Sequence, residues 1–482
     1  MRKALALTMI LIILSVGSMA LAFTDINAAR DQVTFTENVK FGDVSAADGL
    51  EILVRTQYNH HLLWDTTYQT DKKSAQTNYL FSHTQAYKNL PIPMEHFGVQ
   101  METGIEYGFD FTLDGEQFGI AAAYKELFDR TPAGTEGSTT VRMKDYYDFY
   151  PIRVTLDIRG NTLGWSSYFS TNKAPEPGTE EYIIRTFEDF FRIPVIDDET
   201  VEISITKNTD RSSMGGFGSG STESDAFYIW TLSTLTDDAC YFTFNAHTRN
   251  GNLIDTSFIP DGYGIYYLPY SENPIVKDGL NMSGILIDEL SMVYSLDPED
   301  TVFGLHTNPD QTKLLLMTNE NKVCVLTVID IETMKPLQRL ELAVLGEEDS
   351  VWNTYYYDDF FALYLTGNQI AVVDMNENGE YEHRFTVNLT DEAEELYSLS
   401  TRAVMDWDGK SLVVSDFLSN SYYRENMDHS KYCSFYLSVY NETGLLYYGE
   451  YLSSLDVGND LNNYDNSCRS IDYSPLSVRW TD

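Results

Sequence analysis

Short apolar runs ended by turn residues dominate this chain. Residues 50–56 (LEILVRT), 100–113 (QMETGIEYGFDFTL) and 152–158 (IRVTLDI) read as strands, because β-branched and aromatic side chains fit a pleated surface. Asp114-Gly115, Asn250-Gly251, Asn378-Gly379 and Asp408-Gly409 are tight-turn pairs, in which glycine takes the positive φ of a hairpin. Helical periodicity is rare. Residues 179–193 (TEEYIIRTFEDFFRI) predict a helix, with Ile183, Phe187, Phe190 and Phe191 at helical spacing. Glu180 and Glu181 suit its positive N-terminal end. A buried strand is the competing reading of that segment.

The second half repeats itself. Residues 314–318 (LLLMT) precede a strand at 323–330, a turn at 332–335 and a strand at 337–342. The same strand, turn, strand order recurs at 369–374, 376–379 and 381–387, and again at 435–441, 442–444 and 445–451. A fourth copy is read at 241–245, 248–251 and 253–258. In each copy an acidic or amide residue closes the first strand: Asn245, Asp330, Asp374, Asn441. A unit of about 43 residues accommodates their separations if an insertion falls on the polar, tyrosine-rich stretch 418–432. Three or four strands in such a unit is the requirement of a propeller blade.

The stretch TKLLLMTNENKVCVLTVIDIETMKPLQRLEL, residues 312–342, resembles one blade of the quinoprotein-like and YVTN-like β-propellers. The likeness covers about half of the mature chain at looser tolerance. It departs from WD40 repeats, since Trp407-Asp408 stands alone and no Gly-His pair recurs at blade spacing. The resemblance implies an all-β fold, a β-propeller of about seven or eight blades with loop insertions. It implies no activity, because propellers host catalysts and binding discs alike. Residues 23–210 are strand-rich but less regular and read as further blades or a separate β domain. Residues 211–225, rich in Gly and Ser, read as a loop or linker. Residues 226–482 carry the propeller-like repeats.

The N-terminus changes the picture of where this chain works. Arg2 and Lys3 precede an uncharged apolar stretch, and Ala20-Leu21-Ala22 places small residues where a signal peptidase reads. Residues 1–22 are therefore expected to be a signal peptide, with the mature chain beginning at Phe23 in a secreted or cell-envelope, extracytoplasmic location. The alternative is an uncleaved segment that anchors the protein in the membrane. No membrane insertion of the mature chain is expected. Four cysteines, Cys240, Cys324, Cys433 and Cys468, show no zinc-type spacing. In an oxidising compartment Cys433 and Cys468 are the leading pair for a bridge, and four small buried side chains are the bland alternative.

Charge narrows the partners. The chain carries 73 Asp and Glu against 32 Lys and Arg, a net charge of -41. Such a surface repels phosphate backbones, so no nucleic-acid partner is expected. With 43% hydrophobic residues the chain is not a disordered one.

Catalytic signatures are thin. Gly215 and Gly220 have P-loop spacing, but Ser221 stands where that chemistry needs lysine. Residues 374–379 (DMNENG) match the first half of a calcium loop, yet Phe385 occupies the position of the bidentate glutamate, and a hairpin turn explains the same residues. The adjacent His60 and His61 are the closest histidines, and neither has helical metal-ligand spacing. The acidic triplets 197–199 and 347–349 and the pair 358–359 read as solvated loops. No catalytic residue, metal or cofactor is assigned.

Aromatic clusters are the most unusual feature. Residues 145–151 (DYYDFYP) and 352–361 (WNTYYYDDFF) interleave rings with carboxylates. Tyrosine offers an apolar plate with a polar rim, which suits sugars and protein partners. The candidate binding residues are Tyr146, Tyr147, Tyr150, Tyr355, Tyr356 and Tyr357. Packing between sheets is the competing explanation. The functional expectation is a non-catalytic binding or scaffold protein that recognises a glycan or protein at the cell surface. The alternative is a propeller-type glycan hydrolase with two carboxylates roughly 5–9 Å apart.

Overall fold

The computed structural model describes residues 2–30, 33–58, 62–81, 98–103, 119–158, 161–163, 176–209, 213–219, 227–271, 283–346, 351–389, 399, 403–417, 434–454 and 473–481. These residues fall in two compact units, residues 1–94 with 348–482, and residues 95–347. Seven sheets are found among them, all antiparallel, and four are simple four-stranded arrays. A succession of four-stranded antiparallel sheets is the blade architecture of a β-propeller, and the chain is all-β in that class.

In the first unit, strands Val351–Tyr356, Phe360–Leu365, Gln369–Met375 and Tyr381–Asn388 form one meander. Strands Val404–Trp407, Leu412–Phe417, Ser434–Asn441 and Gly444–Ser453 form the next, and the N-terminal strand Phe35–Gly42 joins its outer edge. A third sheet starts with the C-terminal strand Tyr473–Trp480 and continues with Leu50–Tyr58, Leu62–Gln69 and Ser74–Phe81. Strands near both ends of the chain are thus woven into these sheets.

In the second unit, Thr231–Leu235, Ala239–Phe244, Gly264–Pro269 and Ser291–Ser295 make one four-stranded sheet. Thr301–Thr307, Lys313–Glu320, Val323–Asp330 and Lys335–Val344 make the next, which is the stretch that carries the propeller resemblance. Ahead of them lie two three-stranded sheets. One holds Gly98–Thr103, Ile152–Ile158 and Asn161–Leu163; the other holds Thr135–Arg142, Thr200–Lys207 and Ser213–Ser219. The Gly/Ser-rich segment therefore differs from its expected loop or linker. Its middle is a full strand, paired from Ser213 with Lys207 to Ser219 with Val201, inside the second unit. Backbone hydrogen bonds need no side chain, so a run of Gly and Ser can complete a sheet edge.

Among the described residues three α-helices accompany the sheets. α1 is Arg2–Arg30, and its part Leu7–Asp25 is long and apolar enough to cross a membrane. α2 is Ile120–Arg130, which the sequence pattern did not reveal. α3 is Glu180–Phe190, the expected helix, and the Thr179 hydroxyl accepts the Tyr182 N–H at 3.3 Å as its N-cap. Ile183, Phe187 and Phe191 from this segment are buried with Phe242, Phe244 and Tyr266 of the adjacent sheet.

Central strands are buried on both faces. All six residues of Ala239–Phe244 and of Phe360–Leu365 are buried, so no polar alternation marks them. One face of the Val404–Ser453 sheet packs Leu412, Val414, Tyr436 and Tyr448 against Tyr355, Phe360 and Ile370. Its other face packs Val413, Phe435, Val439 and Tyr451 against Leu50, Ile52 and Tyr68. This sheet is a slab between two neighbours, which is how a propeller blade buries apolar surface.

The repeat is real for three of its four copies. Asp330 and Asn441 end the third strands of their sheets and hold the hairpin turn by accepting from Thr333 N at 2.8 Å and Thr443 N at 2.8 Å. In the copy at 369–387 Asn376, not Asp374, does this work, accepting from Asn378 N at 2.9 Å and Glu380 N at 3.1 Å. The loop 374–379 is thus a hairpin turn with Gly379 at φ 75°. Asn245 departs further. It follows a second strand, and its side chain pairs with the backbone of Val302, giving 3.0 Å from Nδ2 to the carbonyl and accepting at 2.6 Å. The expected strand 253–258 is only a bridge between His247 and Leu253, and the third strand comes later at Gly264–Pro269.

Candidate binding surface

The six tyrosines singled out in the sequence serve the interior more than the surface. Tyr150 is buried, gives its hydroxyl hydrogen to Glu199, and meets the Phe227 ring edge-on at 5.4 Å. Glu199 is correspondingly buried, so the triplet 197–199 is not wholly a solvated loop. Tyr147 is half-buried, and its oxygen accepts the Ile120 N–H at 3.0 Å. That bond caps α2, whose N-cap is Gly119 at φ 57°, a residue with no side chain to do so. Tyr146 is half-buried against the same core.

Tyr355 is buried between two sheets, and burial pushes its phenol well above the ordinary value. Tyr357 stacks on Phe360 at 4.5 Å and accepts the Met405 N–H at 2.7 Å. Tyr356 is half-buried with its ring 5.5 Å from Phe361. None of the six presents a fully open ring. His60, His61, Cys433, Cys468, residues 347–349 and the insertion 418–432 lie outside the described residues.

The open rings are elsewhere. In the segment Phe227, Tyr228, Ile229, Trp230, burial alternates strictly. Phe227 and Ile229 enter the core of the second unit, while Tyr228 is 50% exposed and Trp230 73% exposed. The segment is pinned along the strand Gly98–Thr103. Met101 N donates to Thr231 Oγ1 at 2.8 Å, Thr231 Oγ1 donates to Met101 O at 3.3 Å, and Thr103 Oγ1 donates to Phe227 O at 3.5 Å. The outward residues of that strand are Gln100 and Glu102, joined at 3.4 Å from Nε2 to Oε1. Arg153 pairs with Glu102 at 3.7 Å. Two anchored extended segments thus carry two rings, an amide and a carboxylate into solvent.

A period-2 pattern of F-Y-I-W was the signal for this site. The pattern alone does not tell which pair faces out, because both pairs are apolar or aromatic. A third exposed ring in the same unit is Phe258, 52% exposed, edge-on to Phe149 at 5.4 Å, with the Arg192 guanidinium 4.9 Å over Phe149. In the first unit Trp352 is 65% exposed.

Buried carboxylates have structural partners. Glu199 takes the Tyr150 hydroxyl. Glu450 takes Asn38 Nδ2 at 3.3 Å and lies 3.4 Å from Lys40 Nζ. Asp374 takes Arg384 and Trp407. Among the described residues no group of three His, Cys, Asp or Glu is placed to hold a metal ion. Two carboxylates stand out: burial, opposed by Arg185 and aided by Asp189, pushes Glu188 up to about 7, and Asp300 is the other. Burial, then the charges of Glu320 and Asp297, push its carboxyl up to about 6.

No family model matches this chain, and no curated protein matches it. Solved structures do. A Bacteroides fragilis protein, assigned provisionally as a 6-phosphogluconolactonase, is 8% identical, with 90% of this chain and 98% of that chain covered and a TM-score of 0.32. A Lactobacillus plantarum protein is 10% identical over 90% of this chain and 100% of its own, at 0.30. A Myceliophteria thermophila β-propeller domain is 7% identical over 52% of this chain and 82% of its own, at 0.24. At these scores the likeness transfers no activity to this chain, and its place among the all-β propellers rests on its own sheets.

Proposed function

We propose that this chain is an exported, non-catalytic propeller that binds a glycan or protein partner outside the cytoplasm, with Tyr228 and Trp230 as its contact residues. The observation that carries the reading is the exposure of both rings on a backbone held from beneath by Phe227 and Ile229. Rings that are rigid before contact lose little conformational freedom on binding, which is the usual basis of an aromatic hot spot. The apolar segment Leu7–Asp25 supports export or anchoring, and cleavage after Ala22 would leave the first strand, Phe35–Gly42, intact. The test is saturable retention of the mature chain, labelled and incubated with envelope material of the producing cell. Retention should weaken strongly in the Tyr228→Ala, Trp230→Ala variant. Unchanged retention in that variant would remove these residues from the reading, and absence of any retention would remove the binding role.

A further inference from the structure

We propose that Tyr228 and Trp230, with Gln100 and Glu102 beside them, form a subsite for an uncharged oligosaccharide. The inference rests on the reading of this surface as the contact site and narrows it to one ligand chemistry. Three observations carry it. The first is spacing. Burial alternates from Phe227 to Trp230 as it does along a strand, where residues two apart lie about 7 Å from each other, so two plates follow one another along a single line. A chain of pyranose rings offers successive C–H faces along a line, and each can lie on an aromatic face.

The second is the polar company. Gln100 and Glu102 project from the strand against which the 227–231 segment is pinned. An amide both donates and accepts, and a carboxylate accepts at two oxygens, which matches the donors and acceptors of vicinal hydroxyls. Glu102 is held by Gln100 at 3.4 Å and by Arg153 at 3.7 Å, so the acceptor is already oriented. A protein-docking patch would instead centre on contiguous apolar surface with a polar rim. Here Gln100 and Glu102 are the exposed residues of the strand that pins the ring-bearing segment.

The third is charge. At a net charge of -41 the chain repels uronic acids, sulfated sugars and phosphorylated polymers. An uncharged glycan meets no such barrier, and its binding does not depend on salt. A basic protein partner would be attracted, and that attraction would weaken steeply as salt rises.

The experiment is calorimetric titration of residues 23–482 with neutral pentasaccharides of glucose, xylose and N-acetylglucosamine, at low and high salt, with oligogalacturonate as the anionic control. Expected is saturable binding of at least one neutral sugar, insensitive to salt. Trp230→Ala should weaken it about tenfold or more, and Gln100→Ala with Glu102→Gln should weaken it further. Thermal melts of each variant establish that it is folded. No neutral sugar bound, a preference for the anionic sugar, or sugar binding untouched by Trp230→Ala each overturns the proposal. If sugars fail while envelope retention still depends on Trp230, the ligand class falls and the contact site stands. If both fail, the contact site falls as well.

Discussion

The indole N–H of Trp407 is donated to Oδ2 of Asp374 at 3.0 Å, while Arg384 Nε donates to Oδ1 of the same carboxylate at 2.6 Å. Asp374 lies on the third strand of one sheet and Trp407 on the first strand of the next. One nearly buried carboxylate therefore ties two sheets together. It neither caps its own hairpin nor shows a calcium ligand's geometry.

Asp374→Ala should cost about 1–3 kcal/mol, because it leaves an indole and a guanidinium without their acceptor. In a double-mutant cycle with Trp407→Phe, urea unfolding should give a coupling of about 0.5–3 kcal/mol. Simple additivity would show that the two residues do not share this bond.

Core and surface aromatics should separate sharply in stability. Tyr355→Ala opens a cavity between two sheets and should cost about 3–5 kcal/mol. Trp230→Ala removes an exposed ring and should change stability by no more than ~0.5 kcal/mol. Equilibrium unfolding of both variants checks the contrast. A large cost at Trp230 would mean that the ring is packed.

Asp300 should write itself into the pH profile. Its folded pKa, about 6, lies above the ordinary 3.8, raised by burial and by Glu320, Asp297 and Glu299 against the opposing pull of Arg339. Between those values the folded state binds more protons than the unfolded chain, so stability falls as pH rises through the window. Asp300→Asn should flatten that slope and leave the protein more stable than the parent at neutral pH. Denaturation midpoints from pH 4 to 7 read this directly, and parallel profiles for parent and variant would contradict it.

Cys240 and Cys324 are buried free thiols, each pushed up to about 12 by burial. In a chain with Cys433→Ser and Cys468→Ser, a thiol reagent should label neither in the native state and both in guanidinium. Rapid native labelling would show that one of them reaches solvent.

Glu37 anchors the N-terminal strand. Burial alone would raise its carboxyl. Hydrogen bonds from Lys73 at 3.0 Å, Tyr447 at 2.8 Å and Tyr451 at 3.3 Å outweigh that and hold it below the ordinary value. A chain beginning at Phe23 should melt with the full-length protein, while one beginning at Asp43 should lose about 2 kcal/mol or more and aggregate, because the edge of Gly444–Ser453 is then bare. Equal melting of the two truncations would show that the strand adds nothing.

Hairpins were legible without a structure. The turn at Asn378-Gly379, the paired strands across residues 313–344 and the α3 stripe of Ile183 and Phe187 depend on residues within a few positions of one another. Local propensity and turn chemistry act at that range, and so do the small residues that mark Ala20 to Ala22. What tertiary structure alone decided is which ring meets water. Tyr355 and Trp230 each sit in an aromatic run beside polar residues, and nothing within several positions separates them. Tyr355 is covered by sheet residues that include Leu412 and Tyr448, whereas Trp230 is left open although its neighbours Phe227 and Thr231 are pinned to Thr103 and Met101. Burial is set by the surface that arrives from elsewhere in the chain, and a residue's neighbours in sequence carry no record of it.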